Sequence, residues 1–235
     1  GMAECGRCGR CFDGGAELCT VDGSPLTRAH GSRLLNGRYR LERRLGRGGM
    51  GTVYEAADDL LDRKVAVKVI REDLAGTMIN HSVWADLDAR FRREARAAAG
   101  FAHAHVVRVY DFGVDRDRRA FLVMELLEGE TLRQRLALGV PMAPQEAMGI
   151  LRGVCDALTA AHSHGLLHRD LKPENIFLHR HEGGVIPKVL DFGLAKALAV
   201  EQPSSDSDDT RGTSAGLLIG TLAYMAPEQV AGAAV

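Results

Sequence analysis

The sequence lacks three features that would place it in common functional classes. Basic residues are not in excess, because 30 lysines and arginines are balanced by 31 aspartates and glutamates, whereas proteins dedicated to nucleic acid or anionic membranes are usually basic. No apolar run approaches the roughly 18 residues of a membrane span, and the first residues contain no apolar signal-peptide core. We therefore expect no nucleic-acid partner, no membrane segment within this chain and no export.

The composition is that of an ordinary globular chain, but the cysteines are unevenly distributed. Hydrophobic residues make up 46% and charged residues 26%, which is enough to build a real core. A Cys-rich segment at residues 1–23 and a linker at 24–37 are followed from Arg38 by a strand-rich half and then a helix-rich half. This order predicts an α+β fold with two lobes, the first over about 38–128 and a partial second over about 129–235.

Two stretches give the clearest local predictions. The β-branched "VAVKVI", residues 65–70, is typical of a buried strand. Residues 143–165 have helical apolar spacing, with Pro144 suited to the first turn and Gly165 suited to the C-terminal cap. Cys155 is interpreted as a core residue of this helix, and the histidines nearby are interpreted as surface or capping residues: His162, His164, His179 and His181.

A glycine-rich stretch points to phosphate binding. "LGRGGMGTV" places glycines at 46, 48 and 51 before Val53, and glycines let a backbone approach phosphates closely. The following "TVYEAADD" alternates like a strand, which favours a hairpin over the helix of a dinucleotide fold. Lys68 lies within an apolar strand and needs a partner, since an unpaired buried ammonium is costly. Glu94 in the helical "FRREARAAA" is the predicted counter-charge.

A second group of polar residues suits phosphoryl transfer. "HRDLKPEN", residues 168–175, brings Asp170, Lys172 and Asn175 into one stretch in which Pro173 blocks a continuous helix. A carboxylate can accept a hydroxyl proton, an ammonium can neutralise phosphate and an amide oxygen can hold magnesium. Asp191 of "DFG" follows an apolar strand and adds a second oxygen ligand.

These motifs, together with "APE" at 226–228, resemble in identity and order those of a eukaryotic-type serine/threonine protein kinase domain. The resemblance runs from about Arg38 to the last residue, and "GTLAYMAPEQ" resembles bacterial members. It implies a bilobal kinase fold that transfers the γ-phosphoryl group of Mg-ATP to Ser or Thr hydroxyls of a protein substrate. It also implies a cytoplasmic location, while a membrane anchor beyond residue 235 stays open.

The resemblance also assigns roles to individual residues. Asp170 is expected to be the base, with Lys172 and Thr221 beside it, Lys68 and Glu94 positioning phosphates, and Asn175 and Asp191 holding Mg²⁺. The expected ATP-binding residues are Leu45, Gly46, Gly48, Gly51, Val53, Ala66, Lys68, Met124, Glu125, Leu127 and Phe177.

Regulation by phosphorylation is expected in the Ser/Thr-rich run 204–214. Arg169, which precedes Asp170, would receive a phosphorylated residue of this run, with Thr213 as first choice and then Thr210 and Ser214. A phosphate adds about −1.5 to −2 charges, which is enough to order a loop against an arginine. Self-association for autophosphorylation is a further expectation, and a solvated loop without a regulatory site is the alternative.

The chain ends at "APEQVAGAAV", before the further helices that the family resemblance implies. We expect an apolar surface to be exposed there and Glu228 to lack its usual arginine partner, at a cost if it is buried. Two functions compete with the kinase function. The first is an ATP-binding scaffold or inactive kinase fragment, and the second is an interaction module that depends on zinc.

The N-terminal cysteines are interpreted in the light of a cytoplasmic location, where stable disulfides are rare. Cys5-x-x-Cys8-Gly forms one possible zinc knuckle, and Cys19-x-x-Asp22-Gly forms a second with an aspartate in the last position. The segment resembles short zinc-ribbon-like segments ahead of some bacterial kinases. Cys5, Cys8 and Cys19 are predicted Zn²⁺ ligands, with Asp22 or Cys11 as the fourth and His30 as a remote option. An unmetallated tail is the alternative.

Overall fold

The structure is a computed structural model that describes residues 1–29, 31–49, 51–70, 100–192 and 222–230. The chain divides into two compact units. The first unit comprises Gly1–Ala102 and Val107–Glu128, and the second comprises His103–Val106 and Gly129–Val235. Within the described residues no helix is both long and apolar enough to cross a membrane.

The first unit is built on an antiparallel six-stranded sheet. Its strands are β4 (Leu34–Leu35), β5 (Tyr39–Gly48), β6 (Gly51–Asp58), β7 (Arg63–Ile70), β8 (Val109–Val114) and β9 (Ala120–Met124), in the order β4-β5-β6-β7-β9-β8. The predicted strand "VAVKVI" lies within β7, where Val65 and Val67 are fully buried. Alternating side chains give this sheet two faces with different environments.

The Cys-rich segment forms a small sheet of its own within the same unit. Strand β1 (Met2–Cys5) pairs with β2 (Cys11–Asp13) and β3 (Leu26–Ala29), giving the order β2-β1-β3. The sequence predicts a linker over 24–37, but this range contains the strands β3 and β4. Strand β3 is defined by its backbone hydrogen bonds to β1, since its side chains, two of them polar, show no strand pattern.

Among the described residues, the second unit contains a three-stranded sheet, three helices and two 3₁₀ turns. Its elements are β10 (Gly129–Thr131), α1 (Leu132–Ala137), α2 (Pro144–Ser163), a 3₁₀ turn (Pro173–Asn175), β11 (Ile176–His181), β12 (Gly184–Val189), a 3₁₀ turn (Leu222–Tyr224) and α3 (Pro227–Val230). The sheet order is β10-β11-β12.

The observed boundaries of helix α2 agree with the prediction, but the environment predicted for one of its residues is wrong. Pro144 occupies the first turn, and Gly165 follows the helix with φ +71°, the left-handed conformation that glycine adopts at no steric cost. The helix buries the face of Ile150, Val154, Ala157 and Ala161. Cys155 was predicted to lie in the core, but it is exposed because its position falls on the opposite face of α2.

Candidate active site

The glycine-rich stretch is a hairpin, as predicted. Strands β5 and β6 pair as far as Gly48 opposite Gly51. A Cβ atom on Gly51 would lie 2.2 Å from the carbonyl oxygen of Val69 in β7, so only glycine fits there without a backbone shift. Gly46 and Gly48 face open space instead, which leaves room for a ligand to approach the backbone.

Four of the predicted nucleotide-binding residues share one face of the first unit's sheet. Val53 lies opposite Lys68, and Ala66 lies opposite Met124. Directly opposed residues of antiparallel strands project to the same face, as do residues two apart along a strand. Val53, Ala66, Lys68 and Met124 therefore line this face, which we call the nucleotide face.

Lys68 lies in an apolar strand, as the sequence predicts. Its side chain is buried, with 7% exposure, in a strand whose neighbours are apolar. Burial of an ammonium is tolerated only with a partner. Glu94, its predicted partner, and the helix around it lie outside the described residues.

Three predicted residues border the nucleotide face. Leu45 is exposed in β5, and Glu125 and Leu127 follow the end of β9. The Glu125 amide donates to the carbonyl oxygen of Arg108 over 2.9 Å, and the Glu125 carboxylate accepts from the Arg108 amide over 2.8 Å. This pair of hydrogen bonds fixes the backbone at the position where the family resemblance implies adenine contacts.

In the second unit, Asp170, Lys172 and Asn175 form one hydrogen-bonded cluster. The Lys172 ammonium lies 2.8 Å from a carboxylate oxygen of Asp170. The Asn175 amide nitrogen donates to the Asp170 carbonyl oxygen over 2.7 Å and to its carboxylate over 3.1 Å. The side-chain oxygen of Asn175 thereby remains able to coordinate a cation. Oxygen is the ligand atom that Mg²⁺ prefers.

Leu190 links this cluster to Asp191 through its main chain. Its amide donates to the carbonyl oxygen of Asn175 over 2.9 Å, and its carbonyl oxygen accepts from the His168 ring over 2.7 Å. Asp191 is the next residue along the chain and has φ +60°. A positive φ is costly for a non-glycine residue, and such strain is frequent at functional sites.

His168 organises the loop, although the sequence interpretation gave it no role. Its Nδ1 accepts from the Asp170 amide over 3.2 Å, so Nε2 carries the proton donated to Leu190. The ring packs edge-on against Phe192 with centroids 4.9 Å apart. His168 is 3% exposed, and burial lowers its pKa below the ordinary value despite the nearby carboxylates of Asp170 and Asp191.

The lowered pKa of His168 predicts a stability loss in mild acid. The unfolded chain binds the proton near the ordinary histidine pKa of about 6.5, while the folded state resists it. The stabilisation is therefore present above that pH and is lost as pH falls through the lowered folded pKa. Urea unfolding should show wild type losing its advantage over His168→Gln between about pH 7.5 and about pH 5.5. A gap between wild type and His168→Gln that stays constant over this pH range would contradict this role.

Four more residues of the second unit were missed by the sequence interpretation. Gln229 donates to the carbonyl oxygen of Arg169 over 2.8 Å. Arg133 in α1 binds Glu174 over 2.8 Å and the Tyr224 hydroxyl over 3.1 Å. These contacts tie α3 and the second 3₁₀ turn to the loop around Asp170. Main-chain and inter-element partners of this kind leave no spacing signal in a sequence.

The remaining predicted site residues divide into described and undescribed ones. Phe177 lies in β11, between Thr131 of β10 and Lys188 of β12. Glu228 is exposed, so the cost foreseen for a buried unpaired acid does not arise. Outside the described residues lie Thr221, Thr210, Thr213, Ser214 and His30.

The N-terminal sheet gathers four potential metal ligands. The ligand atoms of Cys5, Cys8, Cys19 and Asp22 all lie within 4.8 Å of one another. No disulfide joins the described cysteines. Cys11 is not part of this group: it is buried among apolar residues, and burial raises the pKa of its thiol to about 12.

The two halves of this group have matching turns. The Gly9 amide donates to the Cys5 carbonyl oxygen, and the Gly23 amide donates to the Cys19 carbonyl oxygen, each over 2.9 Å. Both glycines have positive φ, at +75° and +69°. A backbone amide also points at each leading sulfur, from Cys8 to Cys5 over 3.5 Å and from Val21 to Cys19 over 3.4 Å.

The model of the protein kinase domain matches residues 39–235. The chain belongs to the protein kinase family. The α+β kinase fold expected from the sequence is thereby confirmed, and the fold is shared with the crystal structure of the PknI kinase domain of Mycobacterium tuberculosis. That chain is 28% identical with a TM-score of 0.63, covering 88% of this chain and 71% of that one.

Two bacterial kinases are among the curated proteins similar to this chain. Serine/threonine-protein kinase pkn2 of Myxococcus xanthus is 42% identical over 87% of this chain. Serine/threonine-protein kinase PknL of Mycobacterium tuberculosis is 44% identical over 85% of it. The chain spans 23% of the length of pkn2 and 45% of the length of PknL.

Proposed function

We propose that this protein is an ATP-dependent serine/threonine protein kinase. The observation that carries the proposal is the cluster of Asp170, Lys172 and Asn175, which His168 and Leu190 hold next to Asp191. The proposed kinase domain runs from about residue 38 to 235, behind the Cys-rich segment. Its nucleotide contacts are the residues of the nucleotide face, the glycine hairpin and the backbone around Glu125.

In the proposed reaction, a Ser or Thr hydroxyl oxygen bonds to the γ-phosphorus while the bond from that phosphorus to the bridging oxygen of ADP breaks. The hydroxyl proton passes to the Asp170 carboxylate. Lys172 orients this carboxylate and offsets charge on the transferred group. Bound Mg²⁺ supplies neutralisation of the phosphate oxygens, and the Asn175 side-chain oxygen and the Asp191 carboxylate are the residues that fit it.

The assay that tests this function follows phosphate from ATP into a generic basic protein. The full-length gene product is incubated with ATP and magnesium, and the product is analysed for phosphoserine and phosphothreonine. We expect transfer that stops when magnesium is chelated. ATP binding without any transfer would favour the scaffold function instead.

A phosphorylation switch is proposed for the run 204–214. The buried Nε of Arg169 has no hydrogen-bond partner among the described residues, and Arg169 has φ +65°. A phosphate oxygen is a fitting acceptor for such a guanidinium. Mass spectrometry after incubation with ATP and magnesium should find phosphate on Thr213, Thr210 or Ser214, and its absence throughout 204–214 would contradict the switch.

We further propose that Cys5, Cys8, Cys19 and Asp22 bind one Zn²⁺ ion. Three sulfurs and one carboxylate oxygen at mutual distances below 4.8 Å suit a closed four-ligand site. The matched turns and the amides directed at sulfur support this set, and they favour Asp22 over Cys11 as the fourth ligand.

A further inference from the structure

The Cys-rich sheet packs against the six-stranded sheet on the side away from the nucleotide face. Tyr54, Val67 and Val123 lie opposite one another across β6, β7 and β9, one residue out of step with Val53 and Lys68, so they project to the other face. Met2 and Cys11 of the small sheet join these three residues in one buried cluster. We call this second face the ribbon face.

Polar contacts between the two sheets converge on Arg44 of β5. The Arg44 amide donates to the Gly9 carbonyl oxygen over 2.8 Å, and its guanidinium pairs with the Glu4 carboxylate. The Tyr54 hydroxyl donates to the same carboxylate over 3.3 Å. Glu4 is 5% exposed, so its charge is held by these partners in place of water.

Both contact residues of the small sheet adjoin proposed metal ligands. Glu4 directly precedes Cys5, and Gly9 directly follows Cys8. At Gly9 the φ of +75° and a distance of 2.8 Å from a hypothetical Cβ to the Arg44 carbonyl oxygen exclude other residues. Closing the turn around a metal therefore fixes the Glu4 carboxylate and the Gly9 carbonyl oxygen, which are the two groups that hold Arg44.

Arg44 lies where β5 departs from regular pairing just before the glycine hairpin. Register irregularities occur between Leu41 and Arg43 and again between Arg44 and Gly46. Such irregularities bend a strand and redirect the residues beyond them. The contacts of Glu4 and Gly9 thus act on the segment of β5 that determines the direction of Gly46 and Gly48.

We propose that the Cys-rich sheet is a metal-dependent brace of the glycine hairpin, so that Zn²⁺ at Cys5, Cys8, Cys19 and Asp22 raises the affinity for ATP. The inference rests on the proposed zinc site and on the proposed kinase function. Glu4 is the positioning residue, acting through Arg44. Since coupling between two binding sites is reciprocal, bound nucleotide raises the zinc affinity by the same factor.

The test measures nucleotide affinity in the full-length gene product with zinc bound and after zinc removal by a chelator. A fluorescent ATP analogue should bind about tenfold more weakly to the zinc-free protein, and added zinc should restore its affinity. In Glu4→Gln, zinc should bind in the same stoichiometry while the nucleotide affinity loses its dependence on zinc. The control Glu17→Gln changes an exposed carboxylate of the same segment and should keep the full dependence.

A reciprocal measurement avoids any concern that a variant or the zinc-free protein misfolds. Zinc affinity of the wild type, measured by competition with a chromophoric chelator, should rise about tenfold at saturating ATP analogue. Zinc and nucleotide that both bind without affecting each other would overturn the brace alone. Wild type that binds no zinc would overturn the brace and the metal site together, and zinc-bound protein that binds no nucleotide would overturn the brace and the kinase function.

Discussion

Exchange of Asn175 for aspartate is expected to slow phosphoryl transfer by about a hundredfold or more. The amide nitrogen of Asn175 donates two hydrogen bonds to Asp170. A carboxylate of the same shape cannot donate them while ionised, and it places a like charge 3 Å or so from the Asp170 carboxylate, which is unfavourable at this buried position. The substitution therefore disturbs the base and the magnesium ligand together.

The measurement for Asn175→Asp is the rate of phosphate transfer as a function of magnesium concentration. The lower rate should be accompanied by a changed magnesium dependence, because the amide oxygen is the expected ligand atom. Asn36→Asp is the matched control, since Asn36 is exposed in the first unit. A rate within about twofold of wild type for both variants would contradict the arrangement of this cluster.

Replacement of Cys8 by serine is expected to lower the unfolding midpoint by on the order of 10 °C. Cys8 belongs to the four-residue ligand group, and the small sheet that carries it shares the buried cluster containing Tyr39 and Val67. Loss of the metal would loosen both the knuckle and this packing. The effect should therefore extend beyond the first residues into the six-stranded sheet.

Thermal unfolding and metal analysis of the same samples test this second prediction. Wild type purified without chelator should hold about one equivalent of zinc, and Cys8→Ser should hold little. Cys155→Ser is the control, because Cys155 is an exposed thiol on α2. Equal zinc content and equal midpoints in all three proteins would speak against a metal at this site.

Features determined by neighbouring residues in the chain were predictable from the sequence. The glycine hairpin followed from an alternating strand after the last glycine, and the ends of α2 followed from Pro144 and Gly165. Asp170, Lys172 and Asn175 were placed together because they lie within one short loop. In each case the deciding interactions are local, so spacing alone carries the information.

Features determined by tertiary contacts were not predictable in the same way. Strand β3 has two polar residues, Thr27 and Arg28, between Leu26 and Ala29, and it is defined by backbone pairing with β1, so its sequence resembles a linker. Cys155 belongs to an apolar stripe with Met148 and Leu151, but this stripe is exposed on α2. Two apolar faces on one helix cannot be ranked by periodicity alone.

The loop around Asp170 shows the same distinction. His168 acts through the main chain of Leu190, more than twenty residues away, and neither partner is marked by a charge or a spacing rule. The proposed choice of Asp22 over Cys11 as a zinc ligand likewise depends on how β1 and β2 pair, because this pairing buries Cys11 in the apolar cluster.

The most direct test of the kinase account is phosphate transfer by Asp170→Asn at saturating Mg-ATP. Asparagine preserves the shape but cannot take the hydroxyl proton, so the rate should fall by about a hundredfold to ten-thousandfold while the affinity for the ATP analogue stays within about threefold. Asp156→Asn, an exposed carboxylate on α2, should retain the wild-type rate. Equal transfer by wild type and Asp170→Asn would contradict the assignment of Asp170 as the base.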